Sequence, residues 1–254
     1  MNDERLVIST VHNGIATIVL DSVANRNALS AGLLAQLSDA LDGAIADADV
    51  HAVVLTGTGT VFCSGADLTD PPSNDPDTPF SYPDVLRAFA ECPKPTVAHV
   101  NGHARAGGLG LIAACDIAVG AVDATFAFTE VRIGLVPAII AVVCQRVMPP
   151  RAFARYTLTG EVFDGAAAAA CGLLTLAVAQ PHVAGLVDEV LASLHGTEPT
   201  AVGITKRLIA ELPMMARREA FAHAAAISVE RFGSAEGREG IAAFREKRPP
   251  SWAW

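Results

Sequence analysis

The chain has 254 residues, 51% of them hydrophobic and 18% charged, with a formal net charge of −9. Such a composition excludes a disordered chain and fits one large domain, or two small ones, whose core needs no disulfides. The acidic balance argues against sequence-independent binding to nucleic-acid phosphates or to anionic membranes, but leaves room for a local patch that takes a small anionic ligand.

In chain order, residues 6–11 and 15–20 are β-rich runs separated by His12, Asn13 and Gly14, the pattern of a hairpin. Ser30 is placed to cap a helix running to about residue 45, with Leu33, Leu34, Leu37 and Leu41 at helical spacing. Residues 52–56 read as a short buried strand, and residues 70–83, rich in Pro, Asp, Ser and Asn, as a mobile surface loop. A strand at 95–100 leads through a glycine-rich turn into the apolar run 109–115. Residues 116–119 and 125–128 read as further short strands. From Pro137 the texture turns helical: 139–148, 150–158, 165–172, 183–194 and 200–212, then a long helical region from about 215 to 245. The uncharged stretch 165–187 is not read as a membrane span, because alanine gains little from lipid and Pro181 interrupts it; a helix, a short strand and a second helix start fit it better. Strands alternating with helices, then helices alone, predict an α/β core with a helical C-terminal part.

The five cysteines, Cys63, Cys92, Cys115, Cys144 and Cys171, are odd in number, widely spaced and flanked by apolar residues. They read as buried free thiols in a reducing compartment rather than a disulfide framework. No Cys-x-x-Cys or paired-histidine spacing predicts a metal site. The opening MNDER carries no apolar run of the signal-peptide kind, so the expected location is cytoplasmic.

Two glycine-rich segments carry the chemistry. TGTGTVFCSGADL (56–68) follows a strand with small residues that allow backbone N–H groups to face a pocket; the plainer reading is a tight turn capped by Ser64 or Asp67. NGHARAGGLGL (101–111) again leads from strand to helix, where freed N–H groups bind anions or developing oxyanions. Two such turns can give two donors to one carbonyl. Gly108, Gly110 and Ala113 also match the dinucleotide fingerprint, with Glu130 twenty residues beyond Gly110, but the seven residues 101–107 separate the match from its strand, which argues against a nucleotide. Glu130 lies near Phe126, Phe128, Val131 and Ile133, where lost solvation raises a carboxyl toward values useful for proton transfer; an ion pair with Arg132 is the equal alternative. Asp116 reads as structural, His103 as a hydrogen bonder, and Ser64 lacks the Gly-x-Ser-x-Gly setting of a hydrolase nucleophile.

Taken together, NRNAL (25–29), FCSGADL (62–68), VNGHARAGGLGLIAACDI (100–117), LTGEVFD (158–164) and FREKR (244–248) resemble, in this order and over nearly the whole chain, the crotonase (enoyl-CoA hydratase/isomerase) superfamily. The resemblance implies an α/β fold, a spiral of ββα units over residues 1–195, with a helical trimerisation region over 196–254 and assembly as a homotrimer or dimer of trimers. It implies an acyl-CoA thioester as substrate, coenzyme A being part of that substrate and no separate cofactor or metal being needed. By residue match, the N–H groups of Ala66 and Gly107 hold the thioester oxygen and stabilise an enolate. Arg26, Ala28, Ser64, Gly65, Asp67 and Leu68 contact coenzyme A, and the loop 70–83 orders on binding.

One departure stands out. Position 110 is glycine where two-glutamate hydratases carry an acid; the second acid of that pair matches Glu130, and Ala138 matches a backbone donor to the attacking water. The pattern is similar to a bacterial branch of methylglutaconyl- or carboxygeranoyl-CoA hydratases whose members also tend to lack the first acid. Ala138 also stands where dienoyl-CoA isomerases use an aspartate, which sets that activity aside. The expected function is therefore hydration of a 2-enoyl-CoA with Glu130 moving the proton. A Δ3,Δ2-enoyl-CoA isomerase working with Glu130 alone, and a non-catalytic acyl-CoA binder, are the alternatives.

Overall fold

A computed structural model describes residues 4–69 and 81–253. Strands β1 (Val7–His12) and β2 (Ile15–Leu20) form the expected antiparallel hairpin. Asn13 (φ 47°) and Gly14 (φ 73°) close it with two left-handed residues, whose twist matches that of the strands. Helix α1 (Ala31–Ala46) starts where the Ser30 side chain accepts a hydrogen bond from Leu33 N–H, and it buries Leu33, Leu37 and Leu41 completely.

Three units then repeat one pattern of strand, short strand and helix. They are β3 (Ala52–Gly57), β4 (Val61–Cys63) and α2 (Tyr82–Glu91); β5 (Thr96–Val100), β6 (His103–Arg105) and α3 (Gly107–Ala114); and β7 (Ile117–Ala121), β8 (Thr125–Ala127) and α4 (Ala138–Val147). Each unit gives its first strand to a six-stranded sheet, ordered β1-β2-β3-β5-β7-β10, and its second to a four-stranded sheet, ordered β4-β6-β8-β9. The pairs β2–β3, β3–β5, β5–β7 and β4–β6, β6–β8 are parallel, as successive turns of one spiral require. Covered on both faces, β3 runs as four consecutive buried residues, Ala52 to Leu55. The chain continues through α5 (Pro150–Thr159), β9 (Phe163–Asp164), α6 (Gly165–Ala170), β10 (Leu176–Val178) and α7 (Val183–Leu194) to three last helices, α8 (Pro199–Glu211), α9 (Arg217–Gly233) and α10 (Ala235–Glu246). The fold is therefore the α/β spiral of ββα units expected from the sequence.

Several local expectations change. The final helical region is two helices, because Ser234 ends α9 and its hydroxyl accepts from Gly237 N–H at 2.9 Å, capping α10. The loop expected to run to Pro83 ends sooner: Ser81 caps α2, which begins at Tyr82, while residues 70–80 lie outside the described residues. Residues 165–187 do form a helix, a short strand and a helix start, and among the described residues no helix is long and apolar enough to cross a membrane. The five cysteines are free and buried. The core cluster runs from Val7 to Leu191, whereas α8 and α9 bury no residue and α10 only Ala243.

Candidate active site

Both glycine turns leave strands of the small sheet, and the spiral stacks them side by side. Asn27, fully buried at φ 56°, ties the first turn to the segment before α1: its amide donates to the carbonyls of Thr58, Val61 and Phe62, at 3.1, 2.9 and 3.2 Å, and its Oδ1 accepts from Ser22 N–H. Leu29 N–H donates to Gly65 O (2.8 Å) and Asp67 N–H to Leu29 O (3.4 Å). This one-residue bridge faces Ala66 across from Leu29 and leaves the Ala66 N–H out of the pairing, at an exposed position.

The second turn delivers Gly107 as the first residue of α3, so its N–H is one of the four that a helix cannot bond internally. Gly65, at φ 95°, makes the close approach possible. A Cβ there would come 2.9 Å from Ala106 Cβ and 3.4 Å from Gly107 N. Ala66 and Gly107 thus stand on neighbouring turns, the Ala66 N–H outside the bridge to Leu29 and the Gly107 N–H in the first turn of α3. Of the expected coenzyme A contacts, Arg26 and Leu68 are exposed, Ala28 and Gly65 are buried, Ser64 Oγ donates to Asn25 O, and Asp67 Oδ1 accepts from Thr69.

Glu130 opens a short 3-10 turn (Glu130–Ile133) after β8. Its Oε2 is buried without a hydrogen-bond partner among the described residues, and burial pushes its carboxyl above the usual range. The alternative ion pair does not form: Arg132 is exposed, and its Cγ and Nε lie beside Gly160. Of the expected water-excluding neighbours, Phe126 and Phe128 are fully buried, but Val131 and Ile133 are 36% and 57% exposed, because the 3-10 turn faces them outward. The Ala138 N–H, expected to hold water, instead donates to Val136 O at 2.8 Å, closing an inverse γ-turn on Pro137 (φ −74°, ψ 48°).

Sequence reasoning missed Tyr82. Its hydroxyl donates to Gly107 O at 2.5 Å, and a Cβ built at Gly110 would overlap it and come 2.5 Å from Ile140 Cγ2. The space beside Gly110 is therefore filled by two side chains from α2 and α4. Cys63, under the first turn, is pushed up to about 12 by burial and is no nucleophile. Gly108, Gly110 and Ala113 all lie inside α3 rather than at a strand-to-helix turn, which removes the dinucleotide reading. Asp116 accepts from Thr96 N–H, Thr96 Oγ1 and Lys206 Nζ, and His103 Nδ1 accepts from Thr125 N–H, both structural roles. No group of three metal-ligating side chains occurs among the described residues. A cavity of about 260 Å³ lined by Ala48, Pro93, Pro95 and Val202 lies away from both turns and carries no carboxylate.

The profile of the family described as "Enoyl-CoA hydratase/isomerase" matches residues 10–253. A protein of Thermus thermophilus is 37% identical over 245 residues, 93% of this chain and 96% of that one. "Enoyl-CoA hydratase EchA19" of Mycobacterium tuberculosis is 32% identical, covering 92% and 91% of the two chains. Among solved structures, an enoyl-CoA hydratase of Mycobacterium smegmatis superposes with TM-score 0.91 at 30% identity, covering 98% of this chain and 99% of the other.

Proposed function

The chain belongs to the enoyl-CoA hydratase/isomerase family, and from that premise we propose that it hydrates a 2-enoyl-CoA, with Ala66 and Gly107 N–H holding the thioester oxygen and Glu130 moving the proton. The observation that carries this reading is the buried, unpartnered Glu130 oxygen. A protein that only bound acyl-CoA would gain nothing from burying a carboxylate oxygen without a partner, whereas proton transfer to carbon uses one. The two backbone donors stabilise negative charge as it develops on the thioester oxygen, and each donor of this kind is worth about 2.7–4 kcal/mol of barrier. The resemblance to a branch that tends to lack the first acid supports hydration despite Gly110.

Isomerisation of a 3-enoyl-CoA is the second reading, supported by the filling of the space at Gly110 by Tyr82 and Ile140, which leaves one acid. Mixing the enzyme with 2-enoyl-CoA and, separately, with 3-enoyl-CoA while following the conjugated-thioester absorbance decides between them. Hydration predicts loss of that absorbance from the 2-enoyl substrate. Appearance of absorbance from the 3-enoyl substrate alone means an isomerase, and no change in either means a binder.

Assembly as a homotrimer, or a dimer of trimers, in the cytoplasm belongs to the same proposal. It is supported by the exposed Phe221, Phe232 and Phe244 on α9 and α10, and by the five buried cysteines outside any disulfide.

A further inference from the structure

Addition of water by one carboxylate poses a geometric problem. Glu130 can accept one proton of the water, but a single hydrogen bond leaves that water free to swing about the carboxylate. The Ala138 N–H does not fix it, being bonded to Val136 O. The polar group that fills the volume beside Gly110 is the Tyr82 hydroxyl. Its proton is committed to Gly107 O, so its oxygen lone pairs face away from that carbonyl and can accept. It stands in the volume beside Gly110, about one van der Waals contact (3.4 Å) from where a Cβ on Gly107 would be. Burial, followed by the Cys63 and Cys144 thiols and the Glu130 carboxylate, pushes the phenol well above its ordinary pKa, so it keeps its proton.

We infer that Tyr82 Oη is the second anchor of the reacting water, accepting one of its hydrogens while Glu130 accepts the other. This inference rests on the hydration reading above. In the step it describes, the water oxygen bonds to the β-carbon as one O–H proton passes to Glu130 and the alkene π pair moves toward the α-carbon and the thioester oxygen. Glu130 then delivers that proton to the α-carbon and returns to its starting state. The second hydrogen stays on the new hydroxyl, directed at Tyr82 Oη throughout. Tyr82 exchanges no proton; it fixes which lone pair of the water meets the β-carbon. Gly110 is part of the same device, since any side chain there would evict the phenol.

The test is Tyr82→Phe, read in two reactions of one preparation. Hydration of 2-enoyl-CoA needs the held water. Exchange of the α-protons of a saturated acyl-CoA with D2O needs Glu130 and the two N–H donors but adds no water. The loosened Gly107 turn slows both reactions, so the inference predicts that hydration kcat falls about tenfold to hundredfold further than the exchange rate does, with the KM for acyl-CoA within about twofold. Equal loss of both reactions would mean that Tyr82 only supports the first turn of α3, and unchanged hydration would mean that it has no part in the step; either result overturns the inference. If Tyr82→Phe does not fold, Gly110→Ala pushes aside both the phenol and Ile140 Cγ2 and predicts the same excess loss of hydration over exchange, with equal loss of both reactions again overturning it. Parent enzyme that exchanges α-protons but never hydrates overturns the hydration reading itself, and this inference with it.

Discussion

At Ala106 the backbone sits at φ 47°, ψ −117°, the first central position of a type II′ turn, which glycine normally occupies. A non-glycine residue held there stores about 1–3 kcal/mol, and such strain gathers where a backbone group must be aimed. Here the next N–H is that of Gly107, one of the two expected oxyanion donors. Two anchors hold the turn: Ala106 N–H donates to Ala127 O at 3.0 Å, and Tyr82 grips Gly107 O from the other side. Ala106→Gly releases the strain, and even after the entropy glycine adds to the unfolded chain, about 0.5–1 kcal/mol, the variant should melt higher, by about 2–4 °C. Hydration should slow, because the donor is less firmly aimed. Thermal unfolding checks this, and a lower midpoint would mean that the turn is not strained.

At the scale of elements, Lys206 ties α8 to the core. Its ammonium reaches Asp116 Oδ2 at 2.8 Å and donates to the carbonyls of Phe89 (3.1 Å) and Lys94 (3.3 Å), joining α8 to the end of α2, to the approach to β5 and to the start of β7. The lysine side chain is 11% exposed, so solvent offers little replacement for these partners. Lys206→Met keeps the aliphatic stem and should cost about 1–3 kcal/mol, felt as faster hydrogen exchange in α8–α10 with the sheets still protected. Exchange that accelerated equally throughout the chain would contradict this view of α8 as a separately docked element.

Elements built from neighbours in sequence were legible. The hairpin needed only Asn13 and Gly14, and α1 only Ser30 and its leucines. The strands β4 and β6, three residues each, are too short to show alternation. Helix α2 went unread, although Ser81, Pro83 and Asp84 mark its start and Val85, Leu86 and Phe89 its buried face. Within the site, Gly65, Gly107 and Glu130 were visible because small residues and an acid amid apolar ones are local signals. The Asn27 tether, the Tyr82 and Ile140 packing on Gly110, and the strain at Ala106 join residues about 25–35 positions apart or depend on torsions that an alanine does not advertise.

At the scale of the whole molecule, the buried core ends at Leu191 apart from Ala243, yet three helices follow it. Phe221, Phe232 and Phe244 are 73%, 70% and 86% exposed on them, an arrangement that a lone chain in water has no reason to keep. Each such ring gains about 1.5–3 kcal/mol when an interface covers it. The proposed trimer or dimer of trimers predicts three or six copies per particle by sedimentation equilibrium, and Phe232→Glu should shift the population toward single chains. A parent protein that sediments as a monomer at micromolar concentration would remove the assembly from the account.

The central claim is that Glu130 is a working carboxylate whose Oε2 is kept without a partner for proton transfer. As the proton acceptor it must be ionised, so kcat/KM should fall on the acid side with an apparent pKa above the ordinary carboxylate range. Stability runs the opposite way. Between the unfolded and the raised folded pKa, the folded chain holds a proton that the unfolded chain has released, so this group favours folding at low pH and loses that contribution as pH rises through the folded value. The deciding measurement is Glu130→Gln at pH 8, with turnover and unfolding midpoint read on the same sample. The account predicts turnover lower by about 10²–10⁴, acyl-CoA affinity little changed, and a midpoint equal to or above that of the parent. Parent-like turnover per folded enzyme, with a lowered midpoint, would make Glu130 a structural residue and contradict it.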